Sequence, residues 1–396
     1  MAFFGGLILV LFGAVWFYHA GRVLKQNRLE LLPVASPPRC AVLIPARDES
    51  AVISGLLQSL ARQTHPITPS DIYVIVEQPT DPTVAIAERY GASIIYRTHP
   101  HRQRKGYALD EALKQILAQK HYDLYFIFDA DNTLAQDYVA KMLTSYHQGY
   151  QIATGYRSFK NANANVIAAV SSLTFTMINV LGNKNRVRAG ANVIFSGTGC
   201  YVDGRLIDEW HGWPFHSLTE DYEMSLYATL HGIPTTYNES AQFYDEQPTR
   251  YQLTVDQRVR WIKGYFSARR KYIPLMSKRK RARNLGSIRR ETIGVRPVIT
   301  MLIGVIIMLL GLLIQLCLRQ QFGLAFGLVV ALLAAVYLVL MLITIKIIRL
   351  EKTPLDAQIR WRAILFNPLY LTTYVYCALK ALFTRHVEWK KINPGS

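Results

Sequence analysis

Tyr125-Phe126-Ile127-Phe128 runs without a break into Asp129-Ala130-Asp131-Asn132. A short apolar run bounded by polar turn residues predicts a strand buried on both faces, of the kind found in α/β sheets. Such sheets bind ligands beyond the carboxyl ends of their strands, where the two acids fall. In an extended backbone, residues i and i+2 share a face, so Asp129 and Asp131 are candidate ligands for one hard cation. A pair of acids after a strand can also simply cap the next helix, so the rest of the chain has to decide.

The chain around this run repeats one rhythm. Cys40 to Ile44 predicts a buried strand stopped by Pro45, followed by a helix capped by Ser50 and carrying Val52, Leu56, Leu57, Leu60 and Ala61. Asp71 to Val76 and Ala92 to Tyr96 predict two further strands, separated by a helix from Thr83 to Tyr90. Tyr107 to Gln119 predicts an amphipathic helix before the strand at Leu124 to Phe128. Strands alternating with helices imply a mainly parallel sheet. Beyond Asp131 the pattern loosens. Val166 to Leu181 predicts an apolar helix, Ser196-Gly197-Thr198-Gly199-Cys200 a tight loop, and Tyr222 to His231 another helix.

The 396 residues carry a net charge of +18. Fourteen Lys or Arg and one acid, Glu291, fall between Arg258 and Arg296. This cluster stands directly before an apolar segment, where cytoplasmic basic residues collect and meet anionic lipid. No zinc-finger spacing or basic heptad region accompanies it, and no nucleic-acid partner is expected. Ala2 to Tyr18, Val298 to Leu318 and Phe322 to Ile345 have the length and apolarity of membrane spans. Ala363 to Phe383 is equivocal, because Pro368 permits a re-entrant or broken helix. The expected organisation is an anchor over 1–28, a catalytic domain over 36–250, a basic interfacial region over 251–296 and a membrane region over 297–396. Arg22, Lys25 and Arg28 place Cys40 to Arg296 in the cytosol, the loop at Arg319 and Gln320 outside, and Lys346 to Arg362 inside again. The localisation expected is therefore a multi-pass integral membrane protein with a cytosolic catalytic domain. Cys40, Cys200, Cys317 and Cys377 lack metal-ligand spacing and read as unpaired buried thiols.

Three motifs occur in order: Asp129-Ala130-Asp131, Thr219-Glu220-Asp221, and Gln257, Arg260 and Trp261 spaced as Gln-x-x-Arg-Trp. With them the stretch from Cys40 to Gly264 resembles the membrane-embedded family 2 glycosyltransferases, which include synthases of cellulose, chitin, hyaluronan and poly-N-acetylglucosamine as well as lipid-linked sugar transferases. The resemblance implies a GT-A fold, that is, a Rossmann-like α/β nucleotide-sugar domain, and an inverting mechanism. It implies a donor loop at Pro45 to Glu49, with Asp48 where the family usually has Asn. It implies a second donor loop opened by Glu77, where Asp is usual, and a basic loop near the diphosphate at Arg104-Lys105-Gly106. The loop Gly197-Thr198-Gly199 would meet the acceptor, with Glu220, Gln257 and Trp261 on the acceptor side.

The chemistry can be argued from the residues themselves. Loss of a nucleoside diphosphate requires its charge to be neutralised, by Lys105, Arg260 and a cation on Asp129 and Asp131. Mg²⁺ or Mn²⁺ suits carboxylate and phosphate oxygens. The attacking hydroxyl needs a base, and Asp221 is the candidate. Trp261 offers a flat face to a sugar ring. Each residue also has a plainer reading: a helix cap for Thr219 to Asp221, an interfacial anchor for Trp261, a cytoplasmic charge for Arg260, a solvated loop for Lys105. The expected activity is transfer from a nucleotide sugar, by resemblance a UDP-sugar, to a growing polysaccharide. The alternative acceptor is a membrane lipid glycosylated once. An inactive scaffold is the rival outside enzymology. A long polymer would need partner subunits for export.

Overall fold

The computed structural model describes residues 37–102, 104–279, 307 and 309–384. The expected anchor at 1–28, the part of the basic cluster beyond 279, and residues 298–306 and 308 of the Val298 to Leu318 segment lie outside the described residues.

Eight strands form one sheet in the order β3-β2-β1-β4-β7-β6-β8-β5. They are β1 Cys40–Pro45, β2 Ile72–Val76, β3 Ser93–Tyr96, β4 Leu124–Ile127, β5 Thr133–Leu134, β6 Ile152–Phe159, β7 Cys200–Asp203 and β8 Thr235–Asp245. The first half, β3-β2-β1-β4, is wholly parallel, as the rhythm implied. β7 pairs antiparallel with β4 and β6, and β5 antiparallel with β8, so the sheet as a whole is mixed. Successive side chains of β1 and β4 enter opposite cores, Val42, Ile44 and Phe126 on one face and Leu43, Tyr125 and Ile127 on the other. That double burial is why the strands read as unbroken apolar runs.

Helices α1 (Ile53–Ala61), α2 (Thr83–Arg89) and α4 (Tyr138–His147) cover the first face. Helices α3 (Lys105–Leu117), α6 (Gly204–Trp210) and α7 (Glu220–His231) cover the second. Ser50 does not cap α1; the Glu49 carbonyl instead accepts from the Val52 and Ile53 N–H groups. α5 (Val166–Met177) continues through a π segment, Ile178–Lys184, and a last turn to Arg188. It is apolar because it is a core helix, with 56% of its most apolar window buried. α8 (Tyr251–Arg279) carries the Gln-x-x-Arg-Trp residues and packs against α7.

Two long helices complete the chain. α9 (Phe322–Leu350) has a mean hydropathy of 3.0 over its most apolar window, of which only 6% is buried. At about 1.5 Å per residue it is longer than the roughly 30 Å of a bilayer's hydrocarbon. α10 (Ala357–Phe383) is unbroken through Pro368, so the broken-helix alternative is not adopted. Asn367, fully buried, donates to Thr344 of α9 at 2.9 Å beside the proline and helps hold the two helices together there. Arg258 of α8, 1% exposed, donates to Thr373 and to the Tyr370 carbonyl and lies 4.2 Å from the Tyr370 ring, which fastens α10 to α8. The turn between α9 and α10 rests on the sheet domain: Asn163 donates to the Pro354 carbonyl and accepts from the Asp356 N–H, and Lys184 lies 3.7 Å from Glu351. Of the thiols, Cys317 is exposed, unlike Cys40, Cys200 and Cys377; it stands on a short apolar helix, Leu309–Leu318.

Candidate active site

The carboxyl ends of β1, β2 and β4 open onto one cleft, at the point where strand order reverses. Pro45 closes β1. Asp48 has φ of +54°, a left-handed conformation that Asn and Asp tolerate better than most residues, which accounts for Asp in place of the usual Asn. Its N–H donates to Asp81 Oδ2 at 2.8 Å, and the Glu49 N–H donates to Thr83 Oγ1 at 2.9 Å, so the two expected donor loops are tied together. Glu77, at the end of β2, pairs with Arg47 at 3.3 Å and with buried Arg97 at 3.5 Å. Asp81, within the expected second donor loop, and Arg97, unmarked in the sequence, hold this half of the cleft.

After β4 the chain turns. The Asn132 N–H donates to the Asp129 carbonyl at 3.0 Å, so Asp129 to Asp131 is a turn and not the extended segment expected. The two carboxylates consequently have different surroundings. Asp129 accepts from the Lys105 ammonium, which also donates to the Gly197 carbonyl at 2.7 Å. Burial pulls the Lys105 pKa down, but the charges of Asp129 and Glu220 outweigh it and hold it above its ordinary value. Asp131 is raised well above the usual carboxylate range by burial, then by the charges of Asp245 and Asp129. It accepts one bond, from Asn132 Nδ2 at 3.1 Å. The same nitrogen donates to Asp245 Oδ1 at 3.0 Å, and Arg157 fixes the other oxygen of Asp245.

The opposite wall is the start of α7. Thr219 does not cap it: its hydroxyl is buried with no partner among the described residues, against Gly264 of α8, where an added Cβ would lie 2.5 Å from Thr219 Oγ1. The plain cap reading therefore does not describe Thr219. Asp221 accepts from the Tyr222 N–H at 2.8 Å through Oδ1 and turns Oδ2 toward Gly197. Burial raises the Asp221 pKa, against the Tyr222 N–H and Lys105. Burial and Asp221 push Glu220 up to about 7. Arg260 reaches the same wall: burial lowers its pKa while Glu220, Asp221 and Asp129 oppose the shift, and its Nε is buried with no partner.

The tight loop between the walls is set by Gly199, at φ of +62° and so close to Phe243 that a Cβ would lie 2.2 Å from the ring. Thr198 donates to Asn132 Oδ1 and accepts from the Asp129 N–H at 2.8 Å, which joins the loop to the Asp129 turn. Trp261 is half-buried and meets Phe175 of α5 edge to face at 5.5 Å, so its placement rests on α5 as well as on α8. Gln257, half-buried, lies one turn earlier on α8. The structure thus gathers the charges of Lys105, Asp129, Glu220, Asp221 and Arg260 in one place, with the Gly197 carbonyl accepting from Lys105. Asp245 and Arg157 were missed because the pair is 88 residues apart in the chain and neither residue stands in a motif.

Among the described residues no group of three or more His, Cys, Asp or Glu converges as a ready-made cation cage. The donor set still fits a divalent cation. Mg²⁺ and its kin take one or two carboxylates and complete their shell with substrate phosphates. Asp131, a carboxylate accepting a single hydrogen bond beside two other acids, is the group such a cation would relieve.

An α/β nucleotide-sugar fold with this cleft matches a known family: residues 37–264 match glycosyltransferase like family 2, and the chain belongs to it. It is 24% identical over 273 residues to "Probable glycosyltransferase YdaM" of Bacillus subtilis, covering 65% of this chain and 61% of that protein. It is 23% identical over 238 residues to "Beta-monoglucosyldiacylglycerol synthase" of Synechocystis sp., covering 57% of this chain and 48% of that protein. The chain thus spans about half to three fifths of the length of these relatives. The mannosyltransferase PcManGT from Pyrobaculum calidifontis, solved with GDP-Man and Mn²⁺, has a similar fold, with a TM-score of 0.55 at 15% identity over 98% of this chain and all of that one.

Proposed function

We propose that this protein transfers a sugar, with inversion, from a nucleotide sugar to an acceptor at the cytosolic face of a membrane. The observation that carries this reading is the convergence of Lys105, Arg260 and the acids of two motifs on one cleft at the strand ends. Lys105 and Arg260 would receive the leaving diphosphate: both are withdrawn from water, where a fixed positive charge acts more strongly. Asp221 would take the proton of the attacking hydroxyl through Oδ2. Its raised pKa brings it nearer the range useful to a base near neutrality. Pro45, Glu49 and Glu77 would seat the nucleoside, and the Gly197 to Gly199 loop, Glu220, Gln257 and Trp261 the acceptor. Mg²⁺ or Mn²⁺ held by Asp131 and Asp129 would supply further charge neutralisation for the diphosphate.

The donor is taken as a UDP-sugar. Of the two acceptors expected from the sequence, a membrane lipid is better supported than a growing polysaccharide. Only 6% of the apolar window of α9 is buried by protein, an exposed apolar length suited to the bilayer in which a lipid acceptor would lie. Relatives named as glucolipid synthases agree with this choice. The exposed apolar lengths of α9 and α10 would lie in the bilayer, with the turn at Glu351 to Asp356 against the catalytic domain.

The test is to reconstitute the protein in bilayers with a panel of nucleotide sugars, Mn²⁺ and diacylglycerol, then separate lipid from polymer products. One sugar added to lipid is expected, with turnover lost in excess chelator and restored by Mn²⁺ or Mg²⁺. A long water-soluble glycan would transfer the reading to the polysaccharide acceptor, and full turnover in chelator would remove the cation from the account.

A further inference from the structure

Arg157 lies near the end of β6, outside all three motifs, yet its guanidinium touches both halves of the cleft. Nε donates to Asp245 Oδ2 at 2.9 Å, one terminal nitrogen donates to the same oxygen, and the other donates to the Ser196 carbonyl at 3.0 Å. Its face lies 3.9 Å from the Phe175 ring, against which Trp261 packs. From Asp245 the contacts continue through Asn132 Nδ2 to the Asp131 carboxylate, and through Asn132 Oδ1 to the Thr198 hydroxyl, two residues along the chain from Ser196. The hydrogen bonds therefore close a ring: Arg157, Asp245, Asn132, Thr198, and back along the backbone to Ser196. Asn132 is fully buried and Asp245 is 3% exposed, so water competes little for these bonds.

We propose that Arg157 is a positioning residue for sugar transfer, closing a hydrogen-bonded ring that sets the separation between the Asp129 to Asp131 turn and the acceptor loop. The inference rests on the transferase reading above. The acceptor loop faces Asp221 through Gly197, while the turn carries the carboxylates on the donor side, so the ring joins a segment from each side of the cleft in one frame. A misplacement of about 1 Å can cost ~10²-fold in rate without loss of binding. Only a planar fork makes the two bonds to Asp245 and the third to Ser196 together. Lysine, a point charge on a flexible stem, keeps the charge but not that geometry.

The test uses the full-length protein in lipid bilayers, with UDP and Mn²⁺ binding measured by calorimetry and transfer measured on the same preparations. Arg157→Lys is expected to bind UDP with Mn²⁺ within about two-fold of the parent while kcat for transfer falls ~10-fold or more. Thr198→Val opens the ring at its opposite side and also removes the acceptor of the Asp129 N–H, so its kcat should fall at least as far. Combining the two should cost little more than either alone, because one ring opens only once. Parent-like kcat in Arg157→Lys, equal losses of UDP affinity and kcat, or multiplying losses in the double variant would overturn the proposal. If Arg157→Lys does not fold, Arg157→Gln, which keeps a donor but not the fork, decides between the first two outcomes. A parent that binds UDP but transfers no sugar refutes the transferase reading itself, a result separable from any effect of Arg157.

Discussion

Glu220 and Asp221 are neighbours in sequence with different uses for their burial. Asp221 has its Oδ1 held by the Tyr222 N–H, which leaves Oδ2 free toward the acceptor loop. Glu220 is pushed up to about 7 by burial and by Asp221. A carboxyl group whose folded pKa is raised stabilises the fold below its unfolded value and loses that contribution as pH climbs through the folded value. The protein should therefore lose thermal stability between roughly pH 4.5 and pH 7 through this group, starting from the ordinary glutamate value of 4.5. Glu220→Gln should flatten that part of the profile. A melting profile with the same slope in parent and variant would show that Glu220 carries no such shift. At this scale the sequence pointed to residues that the structure brings together, such as Lys105, Asp129, Asp221 and Arg260. Asp129, Asp131 and Asp221 announced themselves by residue type and position after a strand or before a helix. Arg157 and Asp245 did not, since a buried pair joined across 88 residues leaves no local pattern.

Among the elements, the first four strands were readable because burial on both faces makes them unbroken apolar runs, and their ends were placed to within a residue or so. The second half of the sheet was not readable. β6 and β8 are long, carry polar residues such as Arg157 and Gln242, and pair through a bulge between Gly155 and Tyr156. α5 misleads in the opposite direction, having membrane-like composition and a place in the core. α7 and α8 meet closely beside the site. Gly264 lets α8 lie on Thr219, directly before the two acids. Gly264→Ala would force a Cβ to 2.5 Å from a short, buried side chain. Overpacking of that kind costs about 1–3 kcal/mol. The variant should melt lower and transfer more slowly in its folded fraction, because the start of α7 moves. Parent-like melting and turnover would mean that α8 does not set the position of Asp221.

For the whole molecule, the structure joins a nucleotide-sugar sheet to a helical hairpin. The joint is made by Arg258 in α8 and by the α9 to α10 turn resting on Asn163. With the catalytic domain in the cytosol, as proposed above, the α9 to α10 turn that contacts it would lie on the same side and the turn at Gln320 on the other. In sealed cells lacking native cysteines, Gln320→Cys should react with an impermeant thiol reagent and Lys352→Cys should not. Labelling of Lys352→Cys from outside would contradict a catalytic domain and hairpin turn on one side. The central claim is that Asp221 drives transfer from a nucleotide sugar, and it is tested most directly by comparing parent and Asp221→Asn in bilayers. Released nucleoside diphosphate, UDP affinity and melting temperature are read on one preparation. Loss of a positioned base predicts turnover lower by at least ~100-fold with UDP affinity and melting temperature near those of the parent. Parent-like turnover in Asp221→Asn would contradict the account.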